Sequence, residues 1–70
     1  MKEKELEKIF KALANKRRIY ILKYLKSAGS SSVGDIADEI KLSFKATSKH
    51  LMILFHANFV EKEQVSLTMI

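Results

Sequence analysis

Cysteine is absent from the chain, which excludes disulfide frameworks, thiolate metal sites and catalysis by a thiol. The 70 residues are enough for a single domain over residues 1–70, and a domain of that size has a thin hydrophobic core. Natural chains this small compensate with disulfides, metals or association. Because disulfides are excluded, we expect association in the form of a homodimer.

Long apolar runs and proline are also missing, and there are two glycines. No run approaches the roughly 18 apolar residues that a membrane span requires. Residues 1–5, MKEKE, are mostly charged and no apolar segment follows them, so the N-terminus does not resemble a signal peptide. We therefore expect a cytoplasmic protein with no membrane partner, built from helices with short connections.

Acidic residues are missing between Glu7 and Asp35 and again between Ser43 and Val60, while the chain as a whole has a net charge of +5. Both stretches carry basic residues. A basic surface on one side of a protein suits a polyanion such as DNA. Lysines that only solvate helix faces would explain the charges equally well, so charge alone leaves both interpretations open.

Hydrophobic residues at helical spacing predict two helices in the first half of the chain. One covers residues 2–12, and the second begins after Asn15, a residue favoured at helix N-termini. The serine-rich residues 27–32 are expected to form the loop that follows. The apolar positions are Leu6, Ile9, Phe10 and Leu13 in the first helix, and Ile19, Ile21, Leu22 and Leu25 in the second.

Two further helices, joined by a tight turn, are predicted over residues 34–40 and 43–57. Ser32 and Ser43 are suited to begin them, because a serine side chain can accept a hydrogen bond from the first turn. The small Ala37 lets the second of these helices cross closely over the first. This is the spacing of a helix-turn-helix.

The end of the chain predicts a helix stop and then a strand. Asn58 can adopt the left-handed conformation that ends a helix. Val65 and Leu67 alternate with Ser66 and Thr68, as in a short β-strand. No Asn-Gly or Asp-Gly pair is present to close a hairpin.

The fourth predicted helix has two different faces when its residues are placed about 100° apart. A helix held by its apolar face presents the opposite face outward, where its N-terminal half can enter a major groove. Lysine can then pair with guanine or phosphate, and serine with either. An ordinary solvated helix would show the same outer face. The core side holds Thr47, His50, Leu51 and Leu54, and the outer side holds Lys45, Ser48, Lys49, Met52 and His56.

Three segments resemble the ArsR (arsenic-repressor-like) family of winged-helix regulators. Residues 13–22, LANKRRIYIL, resemble the family's second-helix signature LADPTRxxIL. Residues 33–37, VGDIA, resemble the start of its third helix, and residues 42–51, LSFKATSKHL, resemble its recognition helix LSQxxVSRHL. The resemblance covers residues 6–62, and its motifs are fairly specific in combination.

The resemblance implies a mainly α, winged helix-turn-helix fold, with four helices followed by a short, incomplete β wing. It also implies a dimeric, sequence-specific transcriptional repressor that places helix 43–57 in the major groove of double-stranded DNA. His50 and Arg18 suit structural roles as well as DNA contacts. The implied DNA-binding residues are Ser43, Phe44, Lys45, Ser48, Lys49, His50 and Arg18.

The chain departs from the family pattern at several positions. Lys16 replaces a proline and Lys41 a common turn glycine, while Phe44 stands where glutamine is frequent. Phe44 would exchange a hydrogen bond to adenine for contact with thymine methyl groups. Residues 33–35 replace the metal-sensing cysteines, and the family's final helix lies outside the sequence. We therefore expect no cofactor or metal site, and a homodimer formed mainly through the first helix.

An enzyme is not expected, because the sequence has no glycine-rich phosphate loop, no nucleophile–base–acid set and no metal triad. His50 and His56 lie six residues apart and hence on different faces of a helix. The alternative that stays open is a protein-interaction adaptor that docks through Met52, Phe55 and Phe59. DNA binding would depend on salt and on lysines, whereas adaptor binding would depend on these apolar side chains.

Overall fold

Four α-helices make up most of residues 2–66, which are the residues that the computed structural model describes. None of the described helices is long and apolar enough to cross a membrane. The mainly α, winged helix-turn-helix class predicted from the sequence is confirmed. In chain order the elements are α1 (Glu3–Leu13), α2 (Lys16–Ala28), β1 (Ser31–Ser32), α3 (Val33–Ile40), α4 (Phe44–His56), a 3₁₀ turn (Lys62–Gln64) and β2 (Val65–Ser66).

Side-chain caps begin three of the helices at the predicted residues. Asn15 Oδ1 accepts hydrogen bonds from the backbone N–H of Arg17 and Arg18, at 2.9 and 3.2 Å. Ser32 Oγ accepts from the Asp35 N–H at 3.0 Å, and Ser43 Oγ accepts from the Ala46 N–H at 3.1 Å. Each such cap stabilises a helix by about 1 kcal/mol, so these residues determine where α2, α3 and α4 start.

Left-handed residues end the two helices of the helix-turn-helix. Lys41 has φ 58° and ψ 46°, and Asn58 has φ 63° as predicted. After α3, the N–H of Leu42 bonds to the carbonyl of Ala37 at 3.0 Å, and the N–H of Phe59 makes the equivalent bond to Leu54 at 2.9 Å. Asparagine tolerates this conformation, whereas a lysine there costs about 1–2 kcal/mol.

The core lies between α2, α3 and α4. Its best-buried large side chains include Ile21 of α2, Ile36 of α3 and Leu54 of α4, none of which is exposed. The apolar face predicted for α2 was wrong at Ile19, which is 43% exposed. The buried cluster consists of Ala12, Ile21, Leu25, Val33, Ile36, Leu51, Leu54, Val60 and Val65.

The apolar stripe of α1 lies largely outside this core. Ala12 is the residue of α1 that is buried, whereas Leu6 is 39% exposed and Phe10 is 66% exposed. The stripe predicted from the sequence is therefore present, but the rest of the described chain covers it only in part, since Ile9 and Leu13 are half-buried.

The two strands form a parallel pair, in which Ser31 lies opposite Val65 and Ser32 opposite Ser66. The predicted strand is confirmed at Val65–Ser66, while its continuation at Leu67 and Thr68 falls outside the described residues. Residues 27–32 were expected to be loop, but residues 27–28 belong to α2 and Ser31–Ser32 form a strand. Those residues become a strand because Val65, which is 6% exposed, packs into the core beside them.

Candidate nucleic-acid interface

The buried residues of α4 identify its inner face, and the side chains on the opposite face therefore point outward. Thr47, Leu51 and Leu54 are at most 1% exposed, and the Thr47 hydroxyl donates to the Ser43 carbonyl at 2.8 Å. Lys45 and Lys49 lie on the exposed face. The structure thus agrees with the division into two faces that the sequence predicted.

Lys45 and Lys49 are exposed cations without a carboxylate partner among the described residues. Within residues 2–66 the one ion pair joins Lys11 Nζ to Glu7 Oε1 at 2.9 Å, on α1. Neither α4 nor the first turn of α2 contains an acidic residue. The two lysines, four residues apart on one face of α4, are thus available to phosphate groups or base edges.

The three other candidates near the start of α4 differ in exposure. Ser43 is exposed, and its hydroxyl oxygen caps the helix while the hydroxyl proton remains available to donate. Ser48 and Phe44 are half-buried. The Phe44 side chain packs against the core cluster but is only half-buried, so part of the ring faces outward.

Arg18 lies at the junction of three helices, and each of its side-chain nitrogens has a partner inside the chain. Nε donates to the Ala12 carbonyl and Nη2 to the Lys11 carbonyl, both at 2.8 Å. These carbonyls lie at the C-terminal end of α1, where the helix itself has no N–H donors left to offer them. Nη1 lies 3.2 Å from His50 Nδ1 on α4. Arg18 therefore fixes α1 and α4 against α2.

His50 is half-buried, and its contact with Arg18 determines its tautomer. Burial lowers the pKa of His50 below its usual value, and the guanidinium groups of Arg18 and Arg17 lower the pKa further. An arginine can only donate, so Nδ1 is the acceptor and the proton of the neutral ring is on Nε2. Sequence reasoning did not predict this contact, because its partners are 32 residues apart and share no local pattern.

The three residues of the docking patch in the adaptor interpretation differ in how far they are exposed. Met52 is 53% exposed, but Phe55 and Phe59 are half-buried and pack against the core. A docking patch made of all three residues is therefore not favoured. Ile53, which the sequence analysis did not single out, is 41% exposed beside Met52.

The residues at the start of α3 do not fit a thiolate metal site. Val33 and Gly34 are buried, and the chain has no cysteine. Among residues 2–66 no group of three or more histidine, aspartate or glutamate side chains could hold a metal ion.

The helix-turn-helix, α2 and its cap Asn15 all lie within the region that matches a known family. The sequence profile of the family described as "Bacterial regulatory protein, arsR family" matches residues 15–62, which contain α2, α3 and α4. The chain belongs to the ArsR family of bacterial regulatory proteins.

A curated relative agrees with this ArsR membership. The arsenical resistance operon repressor of Bacillus subtilis (strain 168) is 35% identical to the chain over 60 residues. The match covers 86% of this chain and 57% of that protein, so the chain spans a little over half the relative's length. No solved structure matches the chain. The chain is thus an ArsR-family helix-turn-helix regulatory protein.

Proposed function

We propose that the chain is a sequence-specific, DNA-binding transcriptional repressor that places α4 in the major groove of double-stranded DNA. The observation that carries the proposal is a pair of exposed lysines, Lys45 and Lys49, on a helix whose opposite face is buried. Neither lysine forms an ion pair within residues 2–66. ArsR membership and a relative that is an operon repressor support it. A regulator that acts on bacterial DNA has no need of catalysis and works in the cytoplasm.

The side chains of α4 would have different roles in this complex. Lys45 and Lys49 would contact phosphates or guanine acceptors, and Ser43 and Ser48 would donate to phosphates or bases. The outward part of the Phe44 ring would contact thymine methyl groups. The N-terminal half of α4 would thus recognise the base sequence of the DNA.

His50 and Arg18 would act as a pair rather than as two separate DNA contacts. Arg18 uses its three nitrogens inside the chain and holds the imidazole with Nε2–H as its donor. We therefore assign Arg18 a positioning role, with His50 as the group that it orients.

The test is fluorescence anisotropy on duplex DNA across a salt series, for the wild type and for Lys45→Ala with Lys49→Ala. Each phosphate contact contributes about −0.9 to the slope of log K against log salt. We expect the double variant to lose roughly two such contributions and to bind on the order of 10–100-fold more weakly at moderate salt. Selection from a random duplex pool then gives the operator sequence.

A matched control removes two lysines with the same spacing from another helix. Lys4→Ala with Lys8→Ala on α1 should leave the salt slope unchanged. No binding by the wild type at low salt would contradict the proposal, and so would equal losses in the two double variants.

We also propose that two copies associate through α1. Leu6 and Phe10 lie one helical turn apart and are 39% and 66% exposed, on a helix whose buried residue is Ala12. An exposed apolar stripe on a domain this small suits a partner surface. A twofold dimer would present two copies of α4 to a palindromic site.

Phe10→Ser is expected to weaken this dimer at least about tenfold, since a large aromatic side chain at the centre of an interface is a common binding hot spot. Sedimentation equilibrium over a concentration series measures the change. The control is Lys8→Ser, on the opposite face of α1, which should dimerise like the wild type. A wild-type chain that stays monomeric at high micromolar concentration would refute association through α1.

A further inference from the structure

Three basic side chains from two separate segments surround one shallow surface cleft of about 390 Å³. Lys16 and Arg17 come from the first turn of α2, and Lys41 comes from the turn between α3 and α4. All three are exposed. We call this group the basic cleft; its lining is completed by Tyr20, Glu39 and Ile40.

Each of the three basic residues replaces an uncharged one of the ArsR pattern. That pattern has proline and threonine at the positions of Lys16 and Arg17, and frequently glycine at the position of Lys41. Positions 16 and 41 are far apart in the sequence, yet the fold brings them to the same cleft. The fold thus gathers three charges at positions that the family pattern leaves uncharged.

The stability of the fold does not account for these residues. Cations in the first turn of a helix oppose the helix dipole, which favours negative charge there. Lys41 adopts a left-handed conformation in which glycine would be unstrained. Because both placements are unfavourable for the folded chain alone, the charges are better explained by a partner.

The carboxylate in the cleft bonds to a tyrosine and not to any of the three cations. Glu39 Oε2 accepts a hydrogen bond from the Tyr20 hydroxyl at 2.8 Å, and no ion pair to Lys16, Arg17 or Lys41 occurs within residues 2–66. That hydrogen bond and the charge of Glu39 raise the pKa of Tyr20, so the hydroxyl stays protonated and keeps donating. With three cations and one carboxylate, the cleft has a net positive charge.

The basic cleft borders the part of α4 that is proposed to enter the groove. Lys41 is two residues before Ser43, the cap of α4. Arg17 precedes Arg18, whose Nη1 lies 3.2 Å from His50 Nδ1 on α4, and the charge of Arg17 helps to lower the pKa of that ring. A phosphate strand at the edge of an occupied groove would thus pass beside the cleft.

We propose that Lys16, Arg17 and Lys41 form a backbone clamp, which binds DNA phosphates beside the groove that α4 occupies. The clamp rests on the proposed DNA-binding function and adds contacts that the recognition helix does not make. Contacts of this kind fix orientation on the duplex and carry no sequence information.

The test uses a triple variant that replaces the three basic residues with uncharged ones: Lys16→Ala, Arg17→Thr and Lys41→Gly. In the anisotropy salt series we expect its slope to shrink by roughly two to three, at about 0.9 per contact. Its affinity should fall by a similar factor for every sequence, leaving the order of preferred sequences unchanged. Circular dichroism melts should show a folded protein, because Lys41→Gly relieves backbone strain.

A triple control with Lys4, Lys8 and Lys26 changed to alanine removes the same charge from other parts of the surface. If both triple variants keep the wild-type slope, or both lose the same amount, the clamp is refuted. If in that case Lys45→Ala with Lys49→Ala still reduces the slope, the proposed function survives without the clamp. A wild type that does not bind DNA refutes both.

Discussion

Replacing Leu54 with alanine is expected to lower the free energy of unfolding by about 3–5 kcal/mol. Leu54 is completely buried on α4, so the shorter side chain leaves a cavity that its packed neighbours cannot fill. Domains of this size have a total stability of only about 4–10 kcal/mol. The variant should therefore be partly unfolded near room temperature, and DNA binding should fall with the folded population.

Urea denaturation followed by circular dichroism measures this loss. Ile53→Ala is the matched control, because Ile53 is the neighbouring residue on the same helix and is 41% exposed. At concentrations where the chain is monomeric it should cost less than about 1 kcal/mol, as surface substitutions usually do. Equal losses for the two variants would contradict the assignment of Leu54 to the core face.

Arg18→Ala is expected to lower the free energy of unfolding by about 2–4 kcal/mol, since hydrogen bonds from a charged donor contribute about 1.5–3 kcal/mol each and partial exposure reduces that. Two bonds to the end of α1 disappear: the Ala12 carbonyl loses its bond from Nε, and the Lys11 carbonyl keeps only the 3.3 Å bond from the Ala14 N–H. The third contact holds His50 on α4. The loss would loosen α1 and α4 at once.

The pKa of His50 separates this role from general destabilisation. Without Arg18, the pKa should rise toward the unperturbed value of about 6.5, which NMR titration of the imidazole follows. Arg18→Lys keeps the charge but cannot make all three contacts, so its stability should lie between those of the wild type and Arg18→Ala. An unchanged His50 pKa in Arg18→Ala would refute the contact.

The same shift gives the pH dependence of the wild type. Between the lowered pKa of folded His50 and about 6.5, the unfolded chain binds more protons than the folded chain. Stability due to this group therefore rises with pH through that window and is complete above it. Arg18→Ala should narrow this pH range, because it raises the pKa of folded His50 toward that of the unfolded chain.

Local signals predicted the helix boundaries well because each boundary depends on a few neighbouring residues. Asn15, Ser32 and Ser43 cap α2, α3 and α4 through bonds that reach two or three residues along the chain. Asn58 ends α4 in the conformation expected of it. Spacing also divided α4 correctly into a buried and an exposed face.

Contacts between distant residues were not predictable in the same way. The buried face of α2 shifted away from Ile19, because the neighbouring helices decide which apolar residues are covered. Ser31–Ser32 became a strand because residues at the far end of the chain pair with it. A two-residue strand carries no periodicity of its own.

The sequence by itself determined the four helices, the tight turn and the basic, cysteine-free character of the chain, because these depend on local spacing and composition. Only the tertiary structure joined Arg18 to His50, left Phe10 exposed and brought Lys16, Arg17 and Lys41 to one cleft. These arrangements depend on how the helices pack. Packing depends on residues from all the helices together, so it cannot be predicted from any single segment of the sequence.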